Sequence, residues 1–209
     1  MSVADRLIDD YFSALDEISA RFPRERVERA IGILLEARDA ERTVYAIGNG
    51  GSASTAQHFV CDLAKAAIVP GQRRFKVVGM GDNPPLVSAW TNDSGFGSIF
   101  AEQLEPWLRG GDVLVAFSVH GGSGSGDAGP WSQNLVRAVM LAKARGAHTI
   151  GFSGFDGGAL EQMCDVCLTV PTSDELLGTP LVESYHLVLQ HLLTLAVRER
   201  IRAAAGASA

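Results

Sequence analysis

Among its 209 residues the chain has only three cysteines, 7% aromatic residues and no excess of positive charge. An odd and small number of cysteines argues against a disulfide framework and for a reducing compartment, so a cytoplasmic protein is expected. Eighteen Lys and Arg against 24 Asp and Glu give a net charge of −6. That balance is wrong for a general grip on nucleic acid or an anionic membrane. No stretch approaches the roughly 18 consecutive apolar residues needed to span a bilayer. The first ten residues, MSVADRLIDD, carry no apolar core preceded by positive charge, so no secretory signal is expected. Charged tracts and low-complexity segments are also missing, and with 46% hydrophobic residues the chain can bury a core. Glycine is the residue in surplus: 23 of 209 is about 11%, against a usual value near 7%.

Those glycines punctuate a regular alternation. Leu7, Tyr11, Leu15, Ile18 and Phe22 step at helical spacing, Pro23 breaks the stripe, and Val27, Ile31, Leu34 and Leu35 start another. Residues 1–40 are therefore expected to be a helical pair used in packing or subunit contact. From Thr43 onward short apolar runs (Thr43–Ile47, Phe75–Gly79, Asp112–Phe117, Thr149–Phe152, Val166–Val170) alternate with helical segments. The helices are expected at Ser54–Lys65, Pro85–Thr91 with Ser98–Leu108, Trp131–Arg145, Gly158–Met163 and Pro180–Arg200. Continuous apolar strands separated by helices predict an α/β three-layer sandwich, with a five-stranded parallel flavodoxin-like sheet over residues 41–203 and a frayed tail beyond it. Cys164 and Cys167 form a C-x-x-C, but they flank and enter a run that reads as a buried strand, with no second metal-binding pair nearby.

Two strand-to-helix loops draw attention, because ligands of such sheets sit beyond the carboxyl ends of the strands. Gly48-Asn49-Gly50-Gly51-Ser52-Ala53 follows the first strand. Its spacing matches a dinucleotide fingerprint mechanically, yet the acidic residue expected about 20 positions later for a ribose is missing. What remains is a glycine turn with a hydroxyl at a helix start, suited to a small phosphate or carboxylate. The third strand runs into Ser118-Val119-His120-Gly121-Gly122-Ser123, again hydroxyls and small residues. Two such loops at one sheet edge favour a sugar phosphate over a nucleotide.

His58 and Asp62 lie four apart on one helical face, and the last helix carries Glu183, His186 and His191. At 100° per residue Glu183 and His191 differ by about 80° and share a face, with His186 about 60° to the other side of Glu183. Two helices can thus each present a carboxylate and an imidazole. These donors suit zinc or a similar divalent ion, or equally a general acid–base pair.

Gly48–Ser52 followed by Ala56-Gln57-His58-Phe59-Val60-Cys61-Asp62-Leu63 resembles the signature of the phosphoheptose (sedoheptulose 7-phosphate) isomerases, which have the sugar isomerase, or SIS, fold. Asn92-Asp93-Ser94-Gly95-Phe96, the Ser118–Ser123 loop and Glu183-Ser184-Tyr185-His186 with His191 resemble further segments of that family. The resemblance implies a homotetrameric ketose–aldose isomerase working through an enediol, with a sugar phosphate as its partner. It maps catalysis onto Asp62 and His191. It maps zinc ligation onto His58, Asp62, Glu183 and His191, and substrate or phosphate contacts onto Asn49, Gly50, Gly51, Ser52, Asp93, Ser118, His120, Ser123 and Glu183. The chain departs from the family pattern where Asp62 replaces Glu, Glu183 replaces Gln, and Val119 and His120 replace Thr and Ser. A non-catalytic SIS-type adaptor or sugar-phosphate sensor is the competing expectation.

Overall fold

The computed structural model describes residues 3–122 and 131–207. Helices α1 (Val3–Arg21) and α2 (Arg24–Asp39) lead into β1 (Thr43–Gly48) and α3 (Gly50–Cys61). There follow β2 (Lys76–Gly79), α4 (Pro84–Ser94), α5 (Ile99–Leu104), β3 (Val113–Phe117), α6 (Gln133–Ala144), β4 (His148–Gly154), α7 (Gly158–Met163), β5 (Val166–Val170) and α8 (Gly178–Ala207). Among the described residues the five strands are all parallel, in the order β2-β1-β3-β4-β5. This is the doubly wound, flavodoxin-like arrangement expected from the alternation.

Side chains of each strand alternate between two helical layers. Val44 and Ala46 of β1 and Val113, Val115 and Phe117 of β3 face the core under α2, α3 and α8. Tyr45 and Ile47, with Leu114 and Ala116, face the opposite core under α5 and α6. Because both faces are covered, β1 from Val44 and all of β3 are buried, which is why the sequence shows unbroken apolar runs there.

Helix α8 holds one long apolar stripe against this core: Leu181, Val182, Tyr185, Leu189, Leu193, Val197 and Ile201 are buried. The helix reaches Ala207, so residues 203–207 continue it instead of fraying. Of the stripe expected from Leu7 to Phe22, Ile18 and Phe22 are buried, Tyr11 and Leu15 pack half-buried against the core, and Leu7 is exposed, as are Ile8 and Phe12 beside it. Cys167 is pushed up to about 11 and Cys164 is raised further, both mainly by burial, so these thiols stay protonated. The described helices include none long and apolar enough to cross a membrane.

Candidate active site

The strand order reverses between β1 and β3, where Gly48 of β1 stands beside Phe117 of β3. Crossovers leave to opposite faces at such a point, so a crevice opens beyond the strand ends. A cavity of about 250 Å³ sits there, lined by both glycine-rich loops, with Asn49, Gly50, Gly51 and Ser52 on one side and Ser118, Val119, His120 and Gly122 on the other. Trp131, Ser132 and Glu183 complete it. Gly50 holds a positive φ of 53°, which lets β1 turn abruptly into α3. Helix α3 starts at the cavity, so its free amides and positive dipole end favour an anion there.

Several cavity residues are ones the sequence points to, and the structure gives them distinct jobs. Ser52 and Ser118 are buried at its wall. The Asn49 side chain does not point freely at a ligand. Its Nδ2 donates to Asn134 Oδ1 at 3.0 Å and its Oδ1 accepts from Asn134 Nδ2 at 2.7 Å. Asn134 is fully buried on α6, so this reciprocal amide pair ties the first loop across the switch point. His120 stacks on Phe155 with ring centroids 4.5 Å apart and meets Trp131 edge-on at 5.8 Å, making an aromatic rim. Trp131, Ser132 and Asn134 had no sequence signal beyond a helix start. Ser123 lies outside the described residues. Asp93 is exposed on α4, bonded to Asn92 at 2.7 Å, and does not line the cavity.

The acid–base groups lie further along the same two helices. Asp62 begins a π-helical turn, Asp62–Ala66, that ends α3, a departure often found at functional positions. Its Oδ2 lies 3.4 Å from His58 Nε2 and 3.4 Å from His191 Nε2, and the two imidazole Nε2 atoms are 3.3 Å apart. Among the described residues this is the cluster whose ligand atoms all lie within 4.8 Å of one another. Two imidazoles and one carboxylate are the donor set of an open tetrahedral zinc site.

Glu183 is not part of that cluster. Eight residues of helix rise about 12 Å, a separation the angular projection ignores, so Glu183 and His191 share a face but not a level. The Glu183 carboxylate instead abuts Gly51, where a Cβ would overlap Oε1, and it lines the cavity. Contacts of Glu183 with Gly51 and of Gln190 with Asp62 show that α3 and α8 run parallel, α3 starting at the cavity and α8 meeting it at Glu183. Side chains tilt toward the start of their helix, so Asp62 and His191 lean back toward the cradle.

His186 has a structural role. It is buried edge-on against the stacked rings of Phe117 and Phe152, and its Nε2 donates to the Ser153 carbonyl at 2.9 Å. Burial lowers its pKa to about 4 from the usual 6.5. The unfolded chain takes up this proton at higher pH than the folded one, so stability is full above about pH 6.5 and is lost as pH falls toward 4. Between pH 7 and pH 5 wild type should lose about 2 kcal/mol more than His186→Leu. Denaturant midpoints of both proteins at the two pH values check this.

Comparison with known proteins matches the SIS domain family profile to residues 10–154. The chain is 49% identical over 164 residues to the lincomycin biosynthesis protein LmbN of Streptomyces lincolnensis, covering 78% of this chain and 58% of LmbN. It thus spans under two thirds of that relative's length. It is 34% identical over 161 residues to the phosphoheptose isomerase of a Nitratiruptor species, covering 77% of this chain and 79% of that one. Its fold is similar to that of the phosphoheptose isomerase GmhA from Neisseria gonorrhoeae, with a TM-score of 0.78, 27% identity and coverage of 94% and 98%.

Proposed function

Because this chain belongs to the SIS-domain family of phosphoheptose isomerases, we propose that it is a sugar-phosphate isomerase that interconverts sedoheptulose 7-phosphate, or a close ketose phosphate, and the matching aldose. The observation that carries this reading is the Asp62 carboxylate flanked by His58 and His191, downstream of a two-loop anion cradle on the same pair of parallel helices. An extended sugar phosphate keeps its carbonyl end well away from its phosphate, and two separated stations suit that shape.

In this reading Ser52, Ser118 and the amides at the start of α3 hold the phosphate. Asp62 takes the proton from the carbon beside the carbonyl, the released electron pair forms the enediol double bond, and the carbonyl oxygen takes a proton from His191. Returning the proton to the neighbouring carbon and withdrawing one from the other hydroxyl completes the exchange. His58, Asp62 and His191 would hold zinc, which supplies polarisation of the carbonyl and stabilisation of negative charge on oxygen when bound. Glu183 beside the cradle adds negative charge, and its carboxylate suits sugar hydroxyls, which donate to it.

The exposed apolar faces of α1 (Leu7, Ile8, Phe12) and α8 (Val188, Leu192, Leu195) support a homotetramer built on these helices. The cysteines, free among the described residues, fit a cytoplasmic setting.

A panel of ketose phosphates incubated with purified protein, with and without zinc, tests the proposal. Formation of an aldose from sedoheptulose 7-phosphate faster than from shorter ketose phosphates is expected. Turnover of the shorter substrates alone contradicts the assignment.

A further inference from the structure

Three buried side-chain atoms lack a hydrogen-bond partner among the described residues: His186 Nδ1, Gln190 Oε1 and Thr194 Oγ1. All belong to α8 at steps of four, so they form one polar line along a helix face otherwise packed with Leu and Val. Gln190 is the costliest of them to keep. It is fully buried, and leaving the carbonyl of a buried amide unpaired is destabilising where a leucine or methionine of similar size would not be. Packing alone therefore does not account for an amide here. The other end of the same amide does: Gln190 Nε2 donates to Asp62 Oδ2 at 3.3 Å. The reverse amide orientation would set Oε1 against the carboxylate, so the donor end is the one that faces Asp62.

Asp62 has three neighbours on that oxygen, and they are not equally firm. The side chains of His58 and His191 are 44% and 51% exposed, while Gln190 is fully enclosed. Rotation about the terminal torsion of an aspartate is soft, so two solvent-exposed rings cannot by themselves fix the plane of the carboxylate. A buried amide on the neighbouring helix can. Gln190 and His191 are adjacent in sequence and lie about 100° apart on α8, so the helix grips the carboxylate from the core side and meets it with an imidazole from the open side.

We propose that Gln190 is a positioning residue that locks the short Asp62 carboxylate at the level of the two imidazoles, for proton transfer and for holding a divalent ion. The proposal rests on Asp62 being the isomerase base. A carboxylate displaced by about 1 Å loses on the order of a hundredfold in rate, which is the scale of effect such a lock protects.

The test measures kcat and KM on sedoheptulose 7-phosphate, and zinc affinity by competition with a chromophoric chelator, for wild type, Gln190→Leu and Gln190→Met. Both variants should lower kcat and weaken zinc binding by about tenfold to a hundredfold, with KM changed less than about threefold and no fall in thermal midpoint. In an Asp62→Glu background, where the longer side chain reaches without the lock, Gln190→Leu should change kcat by less than about threefold. Unchanged kcat and zinc affinity in both variants overturns the proposal. So does a loss that appears only together with a lowered thermal midpoint in both. If wild type turns over no ketose phosphate, the isomerase reading fails separately, and unchanged zinc affinity in the variants still overturns the lock.

Discussion

Replacing Asp62 by alanine is expected to lower kcat by about 10²–10⁴-fold while leaving the fold in place. The carboxylate is the acceptor on which His58 Nε2, His191 Nε2 and Gln190 Nε2 all converge. Without it two imidazoles 3.3 Å apart face each other with no group to take the carbon-bound proton. The side chain is small and borders the exposed rings of His58 and His191, so its removal leaves no large cavity. Asp62→Asn preserves the shape and removes only the basicity, and should lose nearly as much. Steady-state rates beside thermal melts check both: a large rate loss with a melting point within a few degrees of wild type is the expected pair of results. Near-normal turnover by either variant would move the base elsewhere.

The second large effect concerns the other wall of the cavity. Gly121 has a φ of 68°, and a Cβ there would overlap the carbonyl of Gly157, a backbone atom that no rotamer change can move aside. Its neighbour Gly158 meets the His120 carbonyl in the same way, and the Gly121 carbonyl accepts from Leu160 N at 2.9 Å. The loop after β3 is thus seated glycine against glycine on the start of α7. Gly121→Ala combines left-handed backbone strain with overpacking, about 3 kcal/mol together. For a chain of this size that lowers the melting temperature by roughly 10 °C. Because Ser118 and His120 ride on this loop, KM for the sugar phosphate should rise as well. A variant that melts with wild type and keeps its KM would show that the loop does not depend on this seat.

Much of the architecture could be read from residue order because the physics behind it is local. Strands buried on both faces must be continuously apolar, and right-handed crossovers then leave few ways to arrange five of them. His58 and Asp62 were also legible, since four residues on a helix bring side chains together whatever the rest of the chain does. The meeting of His191 with that pair depends on how α8 is laid along α3, and a helical projection supplies angle without height. That is why Glu183, on the same face as His191, stands instead at the cradle. Asn49 shows the other kind of limit. Its amide was free to be assigned to a sugar until a partner 85 residues away consumed both ends of it. Gln190 carried no signal, because one polar residue inside an apolar helical stripe is as easily read as a solvent-facing position. The extension of α8 through Ala207, where a frayed tail was expected, follows from a run of alanines, which are good helix formers.

The most direct test of proton transfer at Asp62 is to run the isomerisation in deuterium oxide and examine the aldose by NMR. Abstraction and return through an enediol predict deuterium from solvent at carbon 2 of the product, and no such product from Asp62→Ala. Aldose formed at the wild-type rate with only protium at carbon 2 would mean hydrogen moves between the carbons without leaving the substrate, contradicting the role given to this carboxylate.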